Sequence, residues 1–236
     1  MQKKAIPIAI AAGAVVAMFF IARITGVLQF YKASSPSSLP TFTTGQLIVS
    51  SNLKSAVRNR YLFFLQYDSS LQKEAIWFHR CVGMPGDTLW MKNGVLFVNG
   101  QQGAIEKKVW RLYTLRTDRA AYWLEQYKER FDEATLQWMN LADTLINVPL
   151  TLSDAARVQS TLQASEWLAL VDVSNYTPDY FVQLQQSHWT LDNFGPLVVP
   201  EDSYFVLGDN RHNAQDSRFI GPIDESKLSG VLLSNK

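Results

Sequence analysis

The sequence predicts a mainly β fold with an antiparallel core, an N-terminal transmembrane helix and an α+β insertion. Short apolar runs with strand chemistry, separated by turn residues, predict the antiparallel core. An uncharged apolar stretch over residues 5–22 is long enough for a short membrane-spanning helix. Apolar residues near helical spacing over residues 118–147 indicate that a different unit interrupts the strands.

Length, charge and cysteine content exclude several classes of protein. The 236 residues suit one domain with a sizeable insertion, or two small domains. The net charge of +1 provides no basic field for nucleic acid. Cys81 is the single cysteine, so no intrachain disulfide can form. The three histidines lack zinc-ligand spacing, and we therefore expect no metal and no cofactor.

The N-terminal segment, residues 1–32, is predicted to be a membrane anchor. Lys3 and Lys4 precede the apolar stretch, and Arg23 follows it where its side chain can snorkel to the interface. A cleaved signal peptide is the alternative, because a charged start and small residues fit one. No small-x-small pair precedes Arg23 at a natural cleavage point, which favours a retained, single-pass anchor. The lysines predict a cytoplasmic N-terminus, with the rest of the chain across the membrane.

Residues 33–105 are predicted to form the first part of the β core. The loop over residues 33–45 is rich in Ser, Thr and Pro. Lys92-Asn93-Gly94 is typical of a hairpin turn between the last two strands of this part. The predicted strands cover residues 47–49, 61–65, 76–78, 88–91 and 95–98.

Residues 106–193 are predicted to be an inserted α+β subdomain. It begins with a long amphipathic helix over residues 118–147, and a helix of about ten residues capped by Ser153 follows. Strands are predicted at residues 148–152 and 167–173. We assign this insertion no chemistry, since amphipathic helices mostly serve packing. Residues 194–236 return to the core with strands at 204–207 and 228–233.

A polar stretch at residues 208–218 follows a strand and carries more charged groups than a plain turn needs. Among the candidate bases, His79 ends a strand, while His212 and Asp216 share this polar stretch. A serine, a histidine and an aspartate from separate loops could assemble for amide hydrolysis. The order of residues alone leaves this open, because any one serine in a Ser-rich loop is more often a turn residue.

Three stretches, in this order behind an apolar segment, resemble the membrane-anchored type I signal peptidases (leader peptidases). They are Ser-Pro-Ser-Ser-Leu-Pro-Thr at 35–41, Phe-His-Arg-Cys-Val-Gly-Met-Pro-Gly-Asp at 78–87, and Gly-Asp-Asn-Arg-His-Asn-Ala-Gln-Asp-Ser-Arg at 208–218. The resemblance is close in the last two stretches and weaker in the first. It covers residues 1–100 and 194–233 and leaves the insertion out.

In the first stretch the resemblance implies that Ser37 is the nucleophile, three residues before a Pro-Thr pair. It also implies that the Ser35 hydroxyl and the Ser37 backbone N–H are the oxyanion donors. Pro36 and Ser38 stand where glycine and methionine are usual in the family. These departures keep Ser38 open as a rival nucleophile.

In the second stretch His79 occupies the position of the general-base lysine of most bacterial members. Histidine serves at this place in the archaeal and endoplasmic-reticulum branch, and its pKa near ~6.5 needs little tuning. The resemblance implies that Asp216 orients His79 and steadies its imidazolium. Ala214 stands where the family ordinarily has a serine that bonds the lysine, so the resemblance implies that the two changes are coupled. An inactive family member is the alternative.

The resemblance further implies two structural pairs among the charged residues of these stretches. Arg80 is expected to pair with Asp209, and Asp216 with Arg218, so that the pairs hold the loops together. His212 stands where the family usually has aspartate, and we expect it to face solvent.

Together these features predict a membrane-anchored serine endopeptidase that removes signal peptides from exported preproteins. The signal peptide would bind as an extended, added β-strand and be cut after a small residue. The predicted location is the bacterial inner (plasma) membrane, with the lipid bilayer as the second partner and the catalytic domain on the periplasmic, extracytoplasmic side. A dedicated peptidase for one substrate such as a pilin, and an inactive signal-peptide-binding relative, are the alternatives.

Overall fold

A computed structural model describes residues 5–127, 140–142 and 144–233, and its centre is a seven-stranded sheet. The neighbours in this sheet all pair antiparallel, as predicted. With strands numbered along the chain, the sheet order is β1 (Gln29–Lys32), β2 (Leu47–Ser51), β15 (Leu228–Leu232), β3 (Tyr61–Asp68), β4 (Lys73–Gly83), β13 (Ser203–Leu207) and β14 (Ile223–Asp224).

A second, four-stranded sheet packs beside the first and contains the predicted hairpin. Its order is β12 (Phe194–Val198), β5 (Thr88–Lys92), β6 (Val95–Val98) and β7 (Gln101–Gln102). Asn93 and Gly94 turn the β5–β6 hairpin with φ values of 48° and 73°. Such turns match the twist of the strands and favour an Asn-Gly pair, so the hairpin prediction is confirmed.

The insertion builds a sheet and a core of its own. Its strands lie in the order β11 (Trp167–Leu170), β8 (Arg111–Arg116), β10 (Leu145–Leu150) and β9 (Asn140–Ala142). Helices α2 (Ala120–Tyr127) and α3 (Leu152–Thr161) contribute residues to this core. The buried residues of this core include Leu115, Trp123, Ile146, Val148, Leu150 and Val158.

The long helix predicted over residues 118–147 is wrong at its C-terminal end. α2 confirms its beginning, and residues 128–139 lie outside the described chain. Residues from Leu145 onward belong to β10, where they pair with β8. Ile146, Val148 and Leu150 lie on one face of β10 and are buried, so packing in the sheet prevails over the helical spacing.

The helix predicted near Ser153 forms with ten residues, but another residue caps it. Thr151 is the N-cap, and its hydroxyl accepts a hydrogen bond from the Asp154 backbone N–H. The N-cap threonine thus provides an acceptor for one of the free N–H groups of the first turn.

The N-terminal segment forms helix α1 (Ala5–Ile24). A helix therefore lies where one was predicted, but no helix in the described part of the chain has the length and apolar character needed to cross a membrane. The transmembrane part of the prediction is thus not found in this structure.

The end of the insertion packs on the C-terminal polar stretch. Helix α4 (Asp179–Gln183) lies against the short helix α5 (Ser217–Ile220). At the beginning of the insertion, Trp110 forms a parallel bridge with Asn210. The insertion therefore supports the loop in which the sequence predicts functional residues.

Candidate active site

Ser37 lies in a short 3-10 helix, Pro36–Ser38, that Ser35 precedes as N-cap. The side-chain oxygens of Ser35 and Ser37 are 2.9 Å apart and share a hydrogen bond. N–H groups in the first turn of a helix lack intrahelical acceptors. Because Pro36 has no N–H, Ser37 provides the first free backbone donor of this helix.

The polar stretch at residues 208–218 holds this turn in place. The Asn210 backbone N–H donates to the Ser37 carbonyl at 3.0 Å, and the Asn210 side-chain amide donates to the Pro36 carbonyl at 3.2 Å. A Cβ on Gly208 would lie 2.2 Å from Ala214 Cβ and 2.9 Å from the Ser37 carbonyl oxygen. Gly208 is therefore required for the close approach of the two segments.

His79 lies on β4 with only 4% of its surface exposed. Its Nε2 is 3.1 Å from the Gln215 carbonyl oxygen, while its buried Nδ1 has no partner among the described residues. The rings of Phe64 and Trp77 pack near the imidazole, with centroids at 6.2 and 6.4 Å. Burial lowers the pKa of His79 below its ordinary value, and the charge of Asp216 opposes that shift.

Ser37 and His79 line a single cleft of about 650 Å³. Within the described chain the Ser37 hydroxyl is bonded to Ser35 and makes no hydrogen bond to His79. The insertion, to which the sequence analysis assigned no chemistry, also contributes Tyr176 and Asp179 to the lining of the cleft. Other lining residues include Tyr31, Ile76, Trp77, Phe78, Asn213 and Phe219.

Asp216 is fully buried, and its carboxylate accepts hydrogen bonds from groups other than His79. Arg218 donates Nε to Oδ1 and Nη2 to Oδ2, both at 2.8 Å. The Gly208 backbone N–H donates to Oδ2 at 3.0 Å. The predicted Asp216–Arg218 pair forms, whereas the acceptor at the His79 ring is the adjacent carbonyl of Gln215.

The second predicted pair, Arg80 with Asp209, also forms and is bidentate. Arg80 donates Nε to Oδ1 at 2.8 Å and Nη2 to Oδ2 at 2.6 Å. Tyr61 donates its hydroxyl to Asp209 at 2.8 Å, and Thr41 donates to the same carboxylate. Burial raises the pKa of Tyr61, so its hydroxyl remains a donor. This network connects β3 and β4 to both loops of the site.

The side chains of Ser38 and His212 are both buried next to the site. Ser38, the rival nucleophile, is fully buried, and its hydroxyl has no partner among the described residues. His212 was predicted to face solvent, and this is wrong, because its side chain is 4% exposed. Its Nδ1 accepts from the Leu112 backbone N–H, and its Nε2 lies 2.8 Å from Asp192. The neighbouring insertion strand covers it.

A model of the signal peptidase family, peptidase S26, matches residues 5–234. The chain belongs to this signal peptidase family. The match includes the insertion, which the motifs alone had left out.

Several signal peptidases are similar to this chain. Signal peptidase I of Aquifex aeolicus (strain VF5) is 26% identical over 218 residues, which are 86% of this chain and 73% of that protein. Signal peptidase I P of Bacillus subtilis subsp. natto is 28% identical over 161 residues, 68% of this chain and 50% of that protein. A signal peptidase I of Bacillus amyloliquefaciens is 60% identical over 49 residues, 20% of this chain and 26% of that protein. The chain thus spans at most half the length of the two Bacillus relatives.

The crystal structure of a signal peptidase I from Enterococcus faecalis V583 is a further match. It covers 76% of this chain and 97% of that chain at 22% identity, with a TM-score of 0.33.

For this signal peptidase family member, the catalytic and oxyanion roles of Ser37, His79, Asp216 and Ser35 stay predictions. Sequence reasoning missed the residues that position them, above all the carbonyl of Gln215 and the side chain of Asn210. A backbone carbonyl leaves no signal in a sequence.

Sequence reasoning also missed Glu106, a buried carboxylate that Arg111 and Arg211 both contact. This carboxylate joins the insertion to the polar stretch. Glu106 lies in a region without motif resemblance, so only the three-dimensional contacts reveal its partners.

Proposed function

We propose that this chain is a serine endopeptidase that removes signal peptides from exported preproteins. The observation that carries the proposal is the common cleft of Ser37 and His79 in a chain of the signal peptidase family. In the proposed reaction the Ser37 hydroxyl attacks the scissile carbonyl while His79 accepts its proton. The tetrahedral oxyanion would be held by the Ser37 N–H and the Ser35 hydroxyl.

The neutral state of the histidine favours this chemistry. A general base must be unprotonated at the pH of the reaction, and burial among aromatic rings lowers the pKa of His79. No lysine is then required at this position. The Ser37 hydroxyl has to rotate from Ser35 toward the ring, since in the structure it bonds Ser35. Binding of the substrate backbone would accompany this rotation.

An exposed strand edge supports the proposed binding of the signal peptide as an added strand. β13 pairs with β4 only at Arg80, Cys81 and Gly83, whereas β3 pairs with β4 from Lys73 to Arg80 on its other side. In the described chain the edge before Arg80 therefore carries unpaired N–H and C=O groups next to the cleft. An extended peptide can pair with such groups, and side-chain pockets then provide specificity.

We infer a membrane location from helix α1, with the anchor and its orientation kept as predictions. The apolar side chains of Val15, Met18 and Ile21 are 60%, 61% and 60% exposed, and exposed apolar surface favours contact with lipid. Flotation with lipid vesicles would test this inference. The chain should float with the vesicles, and a Val15→Asp/Met18→Asp variant should float less.

The experiment that tests the proposal is cleavage of a preprotein by the detergent-solubilised chain. Wild type should release the signal peptide after a small residue, and Ser37→Ala should release none. A preprotein with a bulky residue before the bond is the substrate control and should remain uncut. If wild type cuts no preprotein but binds signal peptides, the inactive binding protein is the better description. If it cuts one preprotein of many, the chain is better described as a dedicated peptidase.

A further inference from the structure

The two ring nitrogens of His79 lie in different surroundings. Nε2 is 3.1 Å from the Gln215 carbonyl oxygen. Nδ1 is buried and has no hydrogen-bond partner among the described residues. A carbonyl oxygen accepts and never donates, so a hydrogen bond there requires the proton on Nε2. In the neutral ring this leaves the lone pair on Nδ1.

We propose that the Gln215 carbonyl fixes the tautomer of His79, so that Nδ1 is the atom that exchanges protons with Ser37. This inference rests on the proposed peptidase function. It makes Gln215 a positioning residue that acts through its backbone. Asp216 then acts one step farther away, by holding the backbone that carries this carbonyl.

The surrounding contacts keep the Gln215 carbonyl in place. On one side, Ala214 packs against Gly208, where a Cβ would come within 2.2 Å of it. On the other side, the Asp216 carboxylate is bonded to the Gly208 N–H and to Arg218. Arg218 is itself fully buried and donates to the Arg211 and Leu191 carbonyls. The loop therefore has no free charged group that could replace the carbonyl at Nε2.

Charged groups around the ring are compatible with this assignment. Asp216 and Asp209 favour the imidazolium, whereas Arg218 and the burial of the ring favour the neutral form. The bond to the Gln215 carbonyl also favours the imidazolium, since Nε2 donates in both states. Proton transfer therefore changes the hydrogen bonding at Nδ1 alone.

In the proposed reaction every proton transfer passes through Nδ1 of His79. Nδ1 takes the proton of Ser37 as the Oγ–C bond forms, and gives it to the leaving amine nitrogen as the C–N bond breaks. In the second half, Nδ1 takes a proton from the water that attacks the acyl carbon. It returns this proton to the Ser37 oxygen as the acyl bond breaks.

The first test is nitrogen NMR of the full chain labelled with ¹⁵N-histidine. The chain has three histidines, and the signals of His79 are assigned by their loss in His79→Asn. Above the pH at which the ring is protonated, we expect Nε2 to carry the proton and Nδ1 to show a lone pair. A ring protonated at Nδ1 would overturn the proposal. This readout needs no catalytic activity, so it stands apart from failure of the peptidase assay.

The second test makes the Gln215 carbonyl a weaker hydrogen-bond acceptor. Replacing Asp216 by malic acid turns the amide after Gln215 into an ester, whose carbonyl is a poorer acceptor. The matched control is the same replacement at Asp202, which lies in an exposed turn. We expect kcat/KM to fall about tenfold in the test variant and to stay within about twofold in the control.

The pH profile of the ester variant separates positioning from a loss of structure. A weaker bond to Gln215 lowers the pKa of His79, so the acid limb of kcat/KM should move to lower pH. A merely loosened loop would let water reach the ring and move the limb to higher pH, because desolvation would be relieved. A shift to higher pH, or no shift, would contradict the proposal.

Discussion

His79 and Arg80 are neighbours on β4, so their side chains point to opposite faces of the sheet, and the two faces differ in how their polar groups are satisfied. On the Arg80 face, the guanidinium, Asp209 and Tyr61 are linked by a closed set of hydrogen bonds. On the His79 face, Nδ1 is buried without a partner among the described residues. We call the Arg80 face the satisfied face, which has the arrangement of a support. We call the His79 face the open face, whose Nδ1 would accept the Ser37 proton in the proposed mechanism.

This difference has a physical cause. A buried polar atom without a partner costs about 1–3 kcal/mol, so it persists only where the surrounding structure holds it in place. Here the bond between His79 and Gln215 and the pair between Asp216 and Arg218 provide that constraint. The unpartnered position of Nδ1 is therefore maintained by the hydrogen bond to Gln215 and by the Asp216–Arg218 pair.

The largest effect should come from Ser37, in contrast to its neighbour Ser38. Ser37→Ala should lower kcat/KM for preprotein cleavage by at least about 10⁴-fold, because the nucleophile is lost. Ser38→Ala removes a buried hydroxyl that has no hydrogen-bond partner among the described residues, so it should leave stability equal or higher. Cleavage rates and thermal unfolding of both variants are the measurements. The reverse ranking of the two rates would identify Ser38 as the nucleophile.

The next effect concerns the open face itself. His79→Ala should lower kcat by about 10²- to 10⁴-fold, the usual contribution of a general base. The variant should still bind signal peptide, since the strand edge of β4 is intact. Single-turnover cleavage and a binding titration measure the two properties. Full activity of the variant would remove His79 from the mechanism.

Disrupting the hydrogen bonds of the satisfied face should lower the stability of the fold. Asp209→Ala leaves Arg80 buried without its carboxylate, and we expect unfolding free energy to fall by roughly 3–5 kcal/mol. The control is Arg157→Ala, which breaks an exposed ion pair with Asp154 and should cost at most about 0.5 kcal/mol. Urea unfolding of both variants gives the comparison. Equal losses in the two variants would mean that the Arg80 network is no support.

The smallest effect is the pH dependence of stability. Because the pKa of His79 is lowered from 6.5 on folding, the unfolded chain binds more protons below about pH 6.5. Stability from this group is present above that pH and is lost as pH falls, by at most about 1.4 kcal/mol per pH unit. The carboxylates with lowered pKa, such as Asp68, lose their contribution only near and below 3.8.

Urea unfolding of wild type and His79→Gln between pH 8 and pH 5 measures this dependence. The variant should show a flatter profile over that window. If the two profiles are parallel, His79 does not have a lowered pKa in the folded chain.

Much of the fold could be predicted from local patterns. The strands at residues 61–65, 88–91 and 95–98 were predicted because strand chemistry and turn residues act over a few residues, and the structure has all three. The pairs Arg80–Asp209 and Asp216–Arg218 followed from family resemblance. The strand predicted at residues 148–152 overlaps β10, but the beginning of β10 at Leu145 and the cap at Thr151 were missed, because helical spacing near Leu145 competes with burial against β8.

By itself, the sequence determined the mainly β character of the chain and the hairpin at Asn93 and Gly94, and it predicted the candidate site residues Ser37 and His79. These depend on turn chemistry, alternation and motif, which neighbouring residues carry. Only the tertiary structure decided which atoms form hydrogen bonds with each other. The acceptor at His79 is a backbone carbonyl, and His212 is buried by Leu112 and Asp192 from the insertion. Such contacts join segments far apart in the chain, and burial alone makes their hydrogen bonds necessary.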